Sequence, residues 1–518
     1  MISSVYPEYS SKFVKMLEVQ AIILHPYSLA CLLFIFVTKW FFFNSARNKN
    51  LPPSPLKIPV VGNLLQLGLY PHRSLQFLAK RHGPLMLLHL GNAPTLVVSS
   101  ADGAREILRT HDVIFSSRPD SSIARRLLYD YKDLSLAPYG EYWRQMRSIC
   151  VVQLLSYKRV KLFQSIREEE TALLVQNVEL FSSRSLQVDL SELFSELTND
   201  VVCRVSFGKK YREGDSGRKF KKLLEEFGAV LGVFNVRDFI PWLGWINYLT
   251  GLNARVEWVF KEFDRFLNEV IEESKANRVG VNEDKMNFVD VLLEIQNNST
   301  DGASIGSDSI KAIILDMFAA GTDTTHTALE WTMTELLKHP EVMKKAQDEI
   351  RRITGSEKSV TQDDVEKTLY LKAVIKESLR LHPPIPLLVP RESTKDVKVQ
   401  GYDILAKTRV IINAWTIGRD PSSWEKPDEF RPERFLESAI DFKGNDFQFI
   451  PFGAGRRGCP GTTFASSLIE ITLASLLHKF SWALPGGAKP EDLDITEAPG
   501  LAIHRKFPLL VIATPHSF

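Results

Sequence analysis

The sequence predicts a mainly α-helical protein with a minor β region, in which one large domain follows an N-terminal membrane-anchor helix. Three observations predict this architecture. A long apolar segment lies near the N-terminus, a few short β-like runs follow it, and long helical patterns fill the rest of the chain. We place the boundaries at residues 1–20 for an N-terminal segment, 21–43 for the anchor, 44–62 for a basic, proline-rich hinge and 63–518 for a single domain.

The composition sets limits on the class of protein. The chain has 518 residues, of which 44% are hydrophobic and 24% charged. This balance excludes a disordered chain, a collagen-like fibre and a polytopic membrane protein. The formal net charge is only +2, so no electrostatic argument supports nucleic acid as a partner. Four cysteines in a chain this long are too few for a disulfide framework and predict a reducing environment.

The apolar segment at residues 21–43 is long enough to span a bilayer. The flank before it carries no net charge, whereas Arg47, Lys49 and Lys57 follow it. The positive-inside rule therefore places residues 1–20 in the lumen and the body in the cytosol. A cleaved signal peptide is the alternative, but a proline-rich stretch follows rather than a small-residue cleavage site. Met16 is an alternative start that would leave the anchor intact.

The elements of the body follow in order. Leu85–Leu90 and Thr95–Ser99 are predicted as short strands from their β-like composition. Ser309–His339 is the longest periodic segment and predicts one helix that crosses the whole domain. Lys372–Leu381 predicts another helix, which ends before Pro383.

One cysteine has specialised surroundings. Cys459 lies in the glycine-rich stretch at residues 452–461, directly before a predicted helix at 462–480. The free N–H groups at a helix start, together with Arg456 and Arg457, are expected to stabilise a thiolate. No second cysteine lies nearby, which argues against zinc and iron–sulfur clusters and suits a haem iron.

The same glycines allow a second interpretation. Gly453 to Gly458 match the G-x-G-x-x-G pattern of dinucleotide-binding proteins. However, the chain ends soon after, and no second strand with an acidic residue completes such a unit. A nicotinamide dehydrogenase, which would act without a reductase, is therefore disfavoured.

The cysteine stretch carries a family resemblance. Phe452, Gly455, Arg457, Cys459 and Gly461 fill the pattern F-x-x-G-x-R-x-C-x-G, which resembles the haem-binding loop of the cytochrome P-450 superfamily. The resemblance implies the cytochrome P-450 fold and haem b (iron protoporphyrin IX) with Cys459 as its thiolate ligand. It also implies that Phe452, Arg457 and Gly461 bind the haem.

The long helix contains a second pattern of that family. Residues 320–325 read AGTDTT, which resembles the oxygen-activation motif. Small residues and threonines are poor helix formers, so we expect the helix to open there. The resemblance implies that Thr324 holds a hydrogen bond beside the oxygen and that Asp323 relays protons.

Two further sets of residues match the family. Glu377, Arg380 and Arg434 resemble its Glu–Arg–Arg network, and we expect them to be buried together as structural support. Trp143 and Arg147 resemble its W-x-x-x-R element, in which the arginine meets a haem propionate. Arg391 and Arg457 are further residues predicted to bind the haem propionates. The residues predicted to contact the substrate are Leu315, Ala320, Ile385, Leu388 and Ala502.

The whole body resembles plant microsomal, A-type members of the family that act in specialised metabolism. This implies a monooxygenase of the endoplasmic reticulum membrane, with a single anchor and a cytosolic catalytic domain. One oxygen atom of O2 would enter a small hydrophobic metabolite of the coumarin, phenylpropanoid or terpenoid class. Electrons would come from NADPH through a separate NADPH-cytochrome P-450 reductase, which is expected to dock at basic residues Arg144, Lys158, Arg159 and Arg456.

Two alternatives stay open at this point. The same fold could act as an oxime-processing, dehydrating or ring-forming haem enzyme without net oxygen insertion, although the intact pair Asp323 and Thr324 favours monooxygenation. A non-enzymatic, membrane-anchored interaction protein is the more distant alternative, and purified protein would then contain no haem. The sequence selects neither the substrate nor the carbon attacked.

Overall fold

The structure is a computed structural model that describes residues 30, 31, 34, 49–211, 214–277, 283–298, 305–356 and 359–517. The chain divides into two compact units, Met1–Leu51 and Pro52–Phe518. The predicted lumenal segment at 1–20 lies outside the described residues, and so does nearly all of the predicted anchor at 21–43. Within the described part of the chain, no helix combines the length and apolar character needed to cross a bilayer.

The second unit begins at Pro52, so the later half of the predicted hinge at residues 44–62 belongs to the folded body. The backbone explains this boundary. Leu87 N–H donates a hydrogen bond to the carbonyl oxygen of Pro53 at 2.9 Å, and the Asn63 side-chain amide donates to that of Leu56 at 3.1 Å. A proline-rich segment lacks many N–H donors but keeps its carbonyl acceptors, and residues of the folded body donate hydrogen bonds to these carbonyl oxygens.

Helices dominate the second unit. In chain order they are α1 (Pro71–His82), α2 (Ala101–Arg105), α3 (Ser122–Leu127), α4 (Glu141–Ile149), α5 (Tyr157–Leu162), α6 (Gln164–Ser183), α7 (Leu190–Phe207), α8 (Gly214–Gly232), α9 (Val236–Phe239), α10 (Ile246–Leu249), α11 (Leu252–Asn277), α12 (Phe288–Asn298), α13 (Ser307–Lys338), α14 (Pro340–Thr354), α15 (Gln362–Glu366), α16 (Tyr370–Leu381), α17 (Ala414–Ile417) and α18 (Thr462–Lys479).

The β region is small, as predicted. Its strands are β1 (Leu85–Leu90), β2 (Ala93–Val98), β3 (Val188–Asp189), β4 (Arg391–Glu392), β5 (Val397–Val399), β6 (Tyr402–Ile404), β7 (Arg409–Ile412), β8 (Phe480–Ala483) and β9 (Leu510–Pro515). One sheet has the order β1-β2-β7-β4, a second β3-β9-β8, and a third contains β5 and β6. Only β2 and β7 pair in parallel among these described strands.

The first hairpin confirms one predicted strand and shifts the other. β1 has the predicted bounds, whereas β2 starts at Ala93 instead of Thr95 because Leu90 pairs with Ala93 across a two-residue turn. Gly91 in that turn has φ of 58°, and a Cβ there would lie 2.4 Å from the carbonyl oxygen of Phe239. Only glycine fits this position.

The longest helix, α13, lies within two residues of its predicted bounds and spans about 48 Å at 1.5 Å per residue. It packs along α7 in the main hydrophobic core. The expected opening at residues 320–325 is wrong, because α13 continues through them without interruption. The Thr324 hydroxyl donates to the carbonyl oxygen of Ala320 at 2.6 Å, and this added bond leaves the helical ladder intact.

Glu497 ties the C-terminal segment to α1. Its carboxylate oxygens lie 2.9 Å from Arg73 nitrogens and 3.1 Å from His72 Nε2. Burial alone would raise the pKa of Glu497, but hydrogen bonds from His72 and Arg73 outweigh it and lower the pKa to about 2. This contact joins residues more than 420 positions apart in sequence.

Replacing Glu497 by glutamine should therefore destabilise the fold in a pH-dependent way. A carboxylate with a lowered pKa contributes fully above its unfolded value near 4.5 and loses that contribution as the pH falls toward 2. We expect Glu497→Gln to lower the free energy of unfolding by about 2 kcal/mol at pH 7. The difference from the unsubstituted protein should narrow below about pH 4.5. Urea unfolding at pH 7, 4 and 3 measures the difference in the free energy of unfolding, and a difference independent of pH would contradict this assignment.

Candidate active site

A cavity of about 260 Å³ lies between α13 and the loop that precedes α18. Elements far apart in sequence meet there, and they bring together most of the predicted site residues. The predicted polar and ligand-type residues in its wall are Trp143, Arg147, Thr324, Arg391, Arg457 and Cys459. The predicted apolar and small residues in its wall are Ala320, Ile385, Leu388, Phe452 and Gly461.

Cys459 is placed by the turn that leads into α18. Its N–H donates to the carbonyl oxygen of Phe452 at 2.9 Å, and its side chain is accessible only as part of the cavity wall, inside the protein. Burial raises the pKa of the thiol, while hydrogen bonds from Gly461 and Thr462 and the charge of Arg147 oppose that rise. The predicted helix-start donors are therefore present, and they favour a thiolate once a cation lies opposite the sulfur.

The cations near the thiol differ from those expected. Arg456 pairs with Asp112 at 2.9 Å instead of facing the sulfur. Arg457 donates to the carbonyl oxygens of Ser116 and Ala137, the former at 2.8 Å. Arg147 is the arginine whose charge opposes the rise in the pKa of Cys459. Arg456, which is close to Cys459 in sequence, therefore pairs with a carboxylate, whereas Arg147 on α4 is the arginine near the thiol.

Three buried arginines form one rim of the cavity: Arg118, Arg391 and Arg457. Burial lowers the pKa of Arg391 to about 10, and burial together with the charge of Arg391 lowers that of Arg457 to about 9. Arg118 was missed by the sequence analysis, because no spacing pattern linked it to the cysteine loop. Three positive guanidinium groups close together in a buried region of low dielectric favour the binding of an anionic group.

Arg147 and Trp143 stand on the same face of α4. The Trp143 indole N–H donates to the carbonyl oxygen of Leu134 at 3.0 Å, and the Arg457 guanidinium stacks over its ring at 4.2 Å. Among the described residues, the Arg147 guanidinium has no hydrogen-bond or ion-pair partner, and the ionisable groups near it are the thiols of Cys459 and Cys150. Its fork of donors is thus available to a carboxylate.

These donors fit an iron porphyrin. A thiol lies in the cavity wall, guanidinium groups lie at one rim where carboxylates could bind, and much of the remaining wall is apolar. Two helices of the cavity wall, α13 and α7, pack closely against each other, since a Cβ on Gly321 would lie 3.2 Å from Val202 Cγ2. The residues present therefore suit a haem held by a cysteine ligand and anchored through its propionates.

The two residues of the predicted oxygen motif face different directions. Thr324 lines the cavity, whereas Asp323 is absent from the described cavity wall. Asp323 Oδ1 lies 3.0 Å from Nε2 of His504. Burial would raise the pKa of Asp323, but the hydrogen bond and charge of His504 lower it. Neighbouring residues on a helix point about 100° apart, which explains this divergence.

Comparison with known proteins agrees with this geometry. The family model described as cytochrome P450 matches residues 52–510. The chain is a cytochrome P450. It is 57% identical to Cytochrome P450 736A117 of Prunus mume, covering 91% of this chain and 92% of that protein. It is 50% identical to the tabersonine/lochnericine 19-hydroxylase of Catharanthus roseus, covering 91% and 94%.

The fold comparison gives the same family. A zebra fish cytochrome P450 solved with progesterone aligns with a TM-score of 0.75 at 27% identity, covering 86% of this chain and 99% of that one. Together, the family match and the plant relatives identify the chain as a plant A-type P450 and a monooxygenase. The family implies a haem-thiolate cofactor.

The predicted substrate residues of this P450 divide into two groups. Ala320, Ile385 and Leu388 lie in the cavity wall. Leu315 and Ala502 are each 2% exposed and lie outside the described wall. The resemblance named both residues as substrate contacts. Leu315 lies on α13, which is buried on most faces, so the sequence alone did not separate its cavity-facing residues from its core residues.

The cavity wall also contains an acidic residue that the sequence analysis missed. Asp316 on α13 accepts hydrogen bonds from the N–H groups of Leu134 and Ser135 at 2.6 and 3.2 Å. Burial and the nearby charge of Asp133 raise the pKa of Asp316 to about 7. Its position one turn before Ala320 was the available signal, because residues four apart share a helix face.

The Glu–Arg–Arg network of this P450 is buried as expected. Arg380 contacts both carboxylate oxygens of Glu377 at 2.7 and 2.8 Å. Arg434 Nε donates to the same carboxylate at 3.0 Å, and the N–H of Arg431 adds a bond at 2.8 Å. The carboxylate therefore joins α16 to the segment that leads toward the cysteine loop.

The four basic residues expected to meet a reductase are not equivalent. Arg144 and Lys158 are exposed, whereas Arg159 is 9% exposed and its Nε donates to the carbonyl oxygen of Gln153 at 3.3 Å. Arg456 is half-exposed but pairs with Asp112. Arg144 and Lys158 are thus the better placed for an external acidic surface.

Proposed function

We propose that this P450 inserts one oxygen atom of O2 into a small hydrophobic plant specialised metabolite, of the coumarin, phenylpropanoid or terpenoid class. Electrons would reach it from NADPH through a separate flavoprotein reductase, on the cytosolic face of the endoplasmic reticulum membrane. The observation that carries the proposal is the Cys459 thiol in the wall of a largely apolar cavity that Thr324 also lines.

The side chains of this chain would divide the work. Cys459 would ligate the haem iron, and Arg147, Arg391 and Arg457 would hold the propionates. The haem would supply oxygen activation and the oxidation of a C–H bond. The Thr324 hydroxyl already donates to Ala320, so its free lone pairs can accept a hydrogen bond from a group in the cavity. Ala320, Ile385 and Leu388 would exclude water and position an apolar substrate.

The reduced, carbon-monoxide-bound absorption spectrum tests the haem-thiolate part of the proposal. We expect a thiolate-type Soret band in the unsubstituted protein and its complete loss in Cys459→Ala. Cys203→Ala is the matched control, because Cys203 is buried in α7 and lies outside the described cavity wall. It should keep the band. Well-folded protein without haem would overturn the proposal.

Incorporation of labelled oxygen separates monooxygenation from the alternatives. Candidate coumarins, phenylpropanoids and terpenoids would be screened with the purified enzyme, the reductase and NADPH under ¹⁸O₂. One labelled oxygen atom in the product supports the proposal. A product formed without label would instead identify a dehydrating, ring-forming or oxime-processing enzyme.

The proposed reductase surface has its own test. Arg144→Glu and Lys158→Glu should each slow reduction of the haem by the reductase, most strongly at low ionic strength, without altering the carbon-monoxide spectrum. Equal reduction rates in both variants and the unsubstituted protein would exclude this surface.

A further inference from the structure

His504 connects the cavity helix to the segment before β9. Its Nε2 lies 3.0 Å from Asp323 Oδ1, and its Nδ1 lies 2.8 Å from the Thr327 hydroxyl oxygen. Asp323, His326 and His504 place potential metal ligands within 4.8 Å of one another. However, both nitrogens of His504 already have oxygen partners. The cluster is therefore a hydrogen-bonded network and not a metal site.

The contact between His504 and Asp323 contains a proton. A bare imidazole nitrogen and a carboxylate oxygen are both acceptors, so their lone pairs would repel at 3.0 Å. A hydrogen must therefore lie between Nε2 and Oδ1, bonded to one or the other. The pair gives Asp323 a proton source within one hydrogen bond.

Thr327 lets this network exist in two protonation states. Its hydroxyl donates to the carbonyl oxygen of Asp323 at 2.7 Å, so in that orientation it accepts a hydrogen bond from Nδ1–H. His504 is then an imidazolium whenever Nε2 carries the hydrogen that it shares with Asp323. If the hydroxyl turns to donate to Nδ1, His504 can be neutral while Nε2–H still faces Asp323. One proton can leave the network while its heavy atoms stay in place.

The network is partly exposed and adjoins a residue of the cavity wall. The side chain of His504 is 28% exposed and that of Asp323 49% exposed, while the next residue, Thr324, lines the cavity. The other titratable groups that face His504 are His326, whose ring is 5.4 Å away, and Glu330. The Glu330 carboxylate accepts from the N–H of Arg505 at 3.2 Å and from the Ser191 hydroxyl, which fixes it in place.

We propose that His504 is the positioning residue and proton reservoir for Asp323, an inference that rests on the proposed function. The Nε2–H bond breaks as an Oδ1–H bond forms. Asp323 then gives this proton to the oxygen that is reduced in the cavity on the Thr324 side of α13, an acceptor that the proposed function supplies. His504 then regains a proton from solvent. Each transfer moves one proton and no electrons, so the relay itself needs no oxidant or reductant.

Oxygen reduction by the full-length holoenzyme with its reductase tests the inference without a known substrate. The readouts are the rate of NADPH oxidation, its pH profile and its solvent deuterium isotope effect. His504→Gln keeps an N–H donor for Asp323 but holds no transferable proton. We expect it to slow NADPH oxidation about tenfold, to enlarge the isotope effect and to shift the acid limb of the pH profile. His504→Lys, which retains a cation, should recover part of the rate.

The matched control is His382→Gln. His382 Nε2 lies 2.6 Å from Glu335, so it forms the same kind of histidine–carboxylate contact with the same helix about three turns away. It should leave the isotope effect and pH profile unchanged. If His504→Gln shows no larger change than this control while retaining the thiolate-type spectrum, the inference is overturned. If the unsubstituted protein lacks that spectrum, the proposed function fails first and the inference falls with it.

Discussion

Replacing Glu377 by leucine should lower the free energy of unfolding by about 3–5 kcal/mol, because it leaves two buried arginines without their carboxylate. Glu377 and Arg380 are 0% and 1% exposed, and Arg434 is 9% exposed. Arg380 would keep its backbone acceptors at Gly418 and Pro427, but its charge would stay uncompensated. Urea unfolding of the purified holoenzyme measures the change.

An exposed ion pair is the control for this prediction. Lys345 lies 2.7 Å from Glu433 and is 58% exposed, so Lys345→Met should cost less than about 1 kcal/mol. The triple variant Glu377→Leu with Arg380→Leu and Arg434→Leu should recover part of the lost stability, since it removes the unpaired charges. A Glu377→Leu variant as stable as Lys345→Met would show that the network is not a structural support.

Gly455→Ala should displace the cysteine loop and abolish most haem binding. Gly455 has φ of 69°, and a Cβ there would lie 2.2 Å from the carbonyl oxygen of Leu108. The left-handed conformation costs a non-glycine residue about 1–2 kcal/mol. The clash with a backbone atom adds to this cost because no side-chain rotation can relieve it. The thiolate-type spectrum per folded molecule measures the effect.

Gly444→Ala separates the two contributions. Gly444 also has a positive φ, of 87°, but a Cβ there would meet its nearest neighbour, Ala454, at an ordinary 3.5 Å. This variant should lose only about 1 kcal/mol of stability and keep its haem. Equal haem content in the two variants would contradict the close approach of the loop to Leu108.

Several parts of the molecule follow from local sequence. The 32-residue helix α13 and the helix α16 lie within about two residues of their predicted bounds. Their signals are periodicity, length and a proline at the end, which act over a few turns. Cys459 was identified in the same way, because its glycines and the helix that follows are adjacent to it in sequence.

The surroundings of Cys459 depended on contacts that local sequence does not contain. Arg147 and Arg118 belong to segments far from Cys459 in sequence. The Asp323 side chain contacts His504, which is 181 positions later in the chain, and is not part of the described cavity wall. Arg456, beside Cys459 in sequence, pairs with Asp112 instead.

The sequence by itself determined the long helices α13 and α16, the specialised surroundings of Cys459 and the resemblance to the cytochrome P450 family, because these depend on short-range patterns and on motifs of nearby residues. Only the tertiary structure decided which charges face the thiol, which residues of α13 line the cavity and which residue pairs with Asp323. The physical reason is that burial and electrostatic contacts depend on which segments pack together. Those contacts form between residues that the chain order leaves far apart.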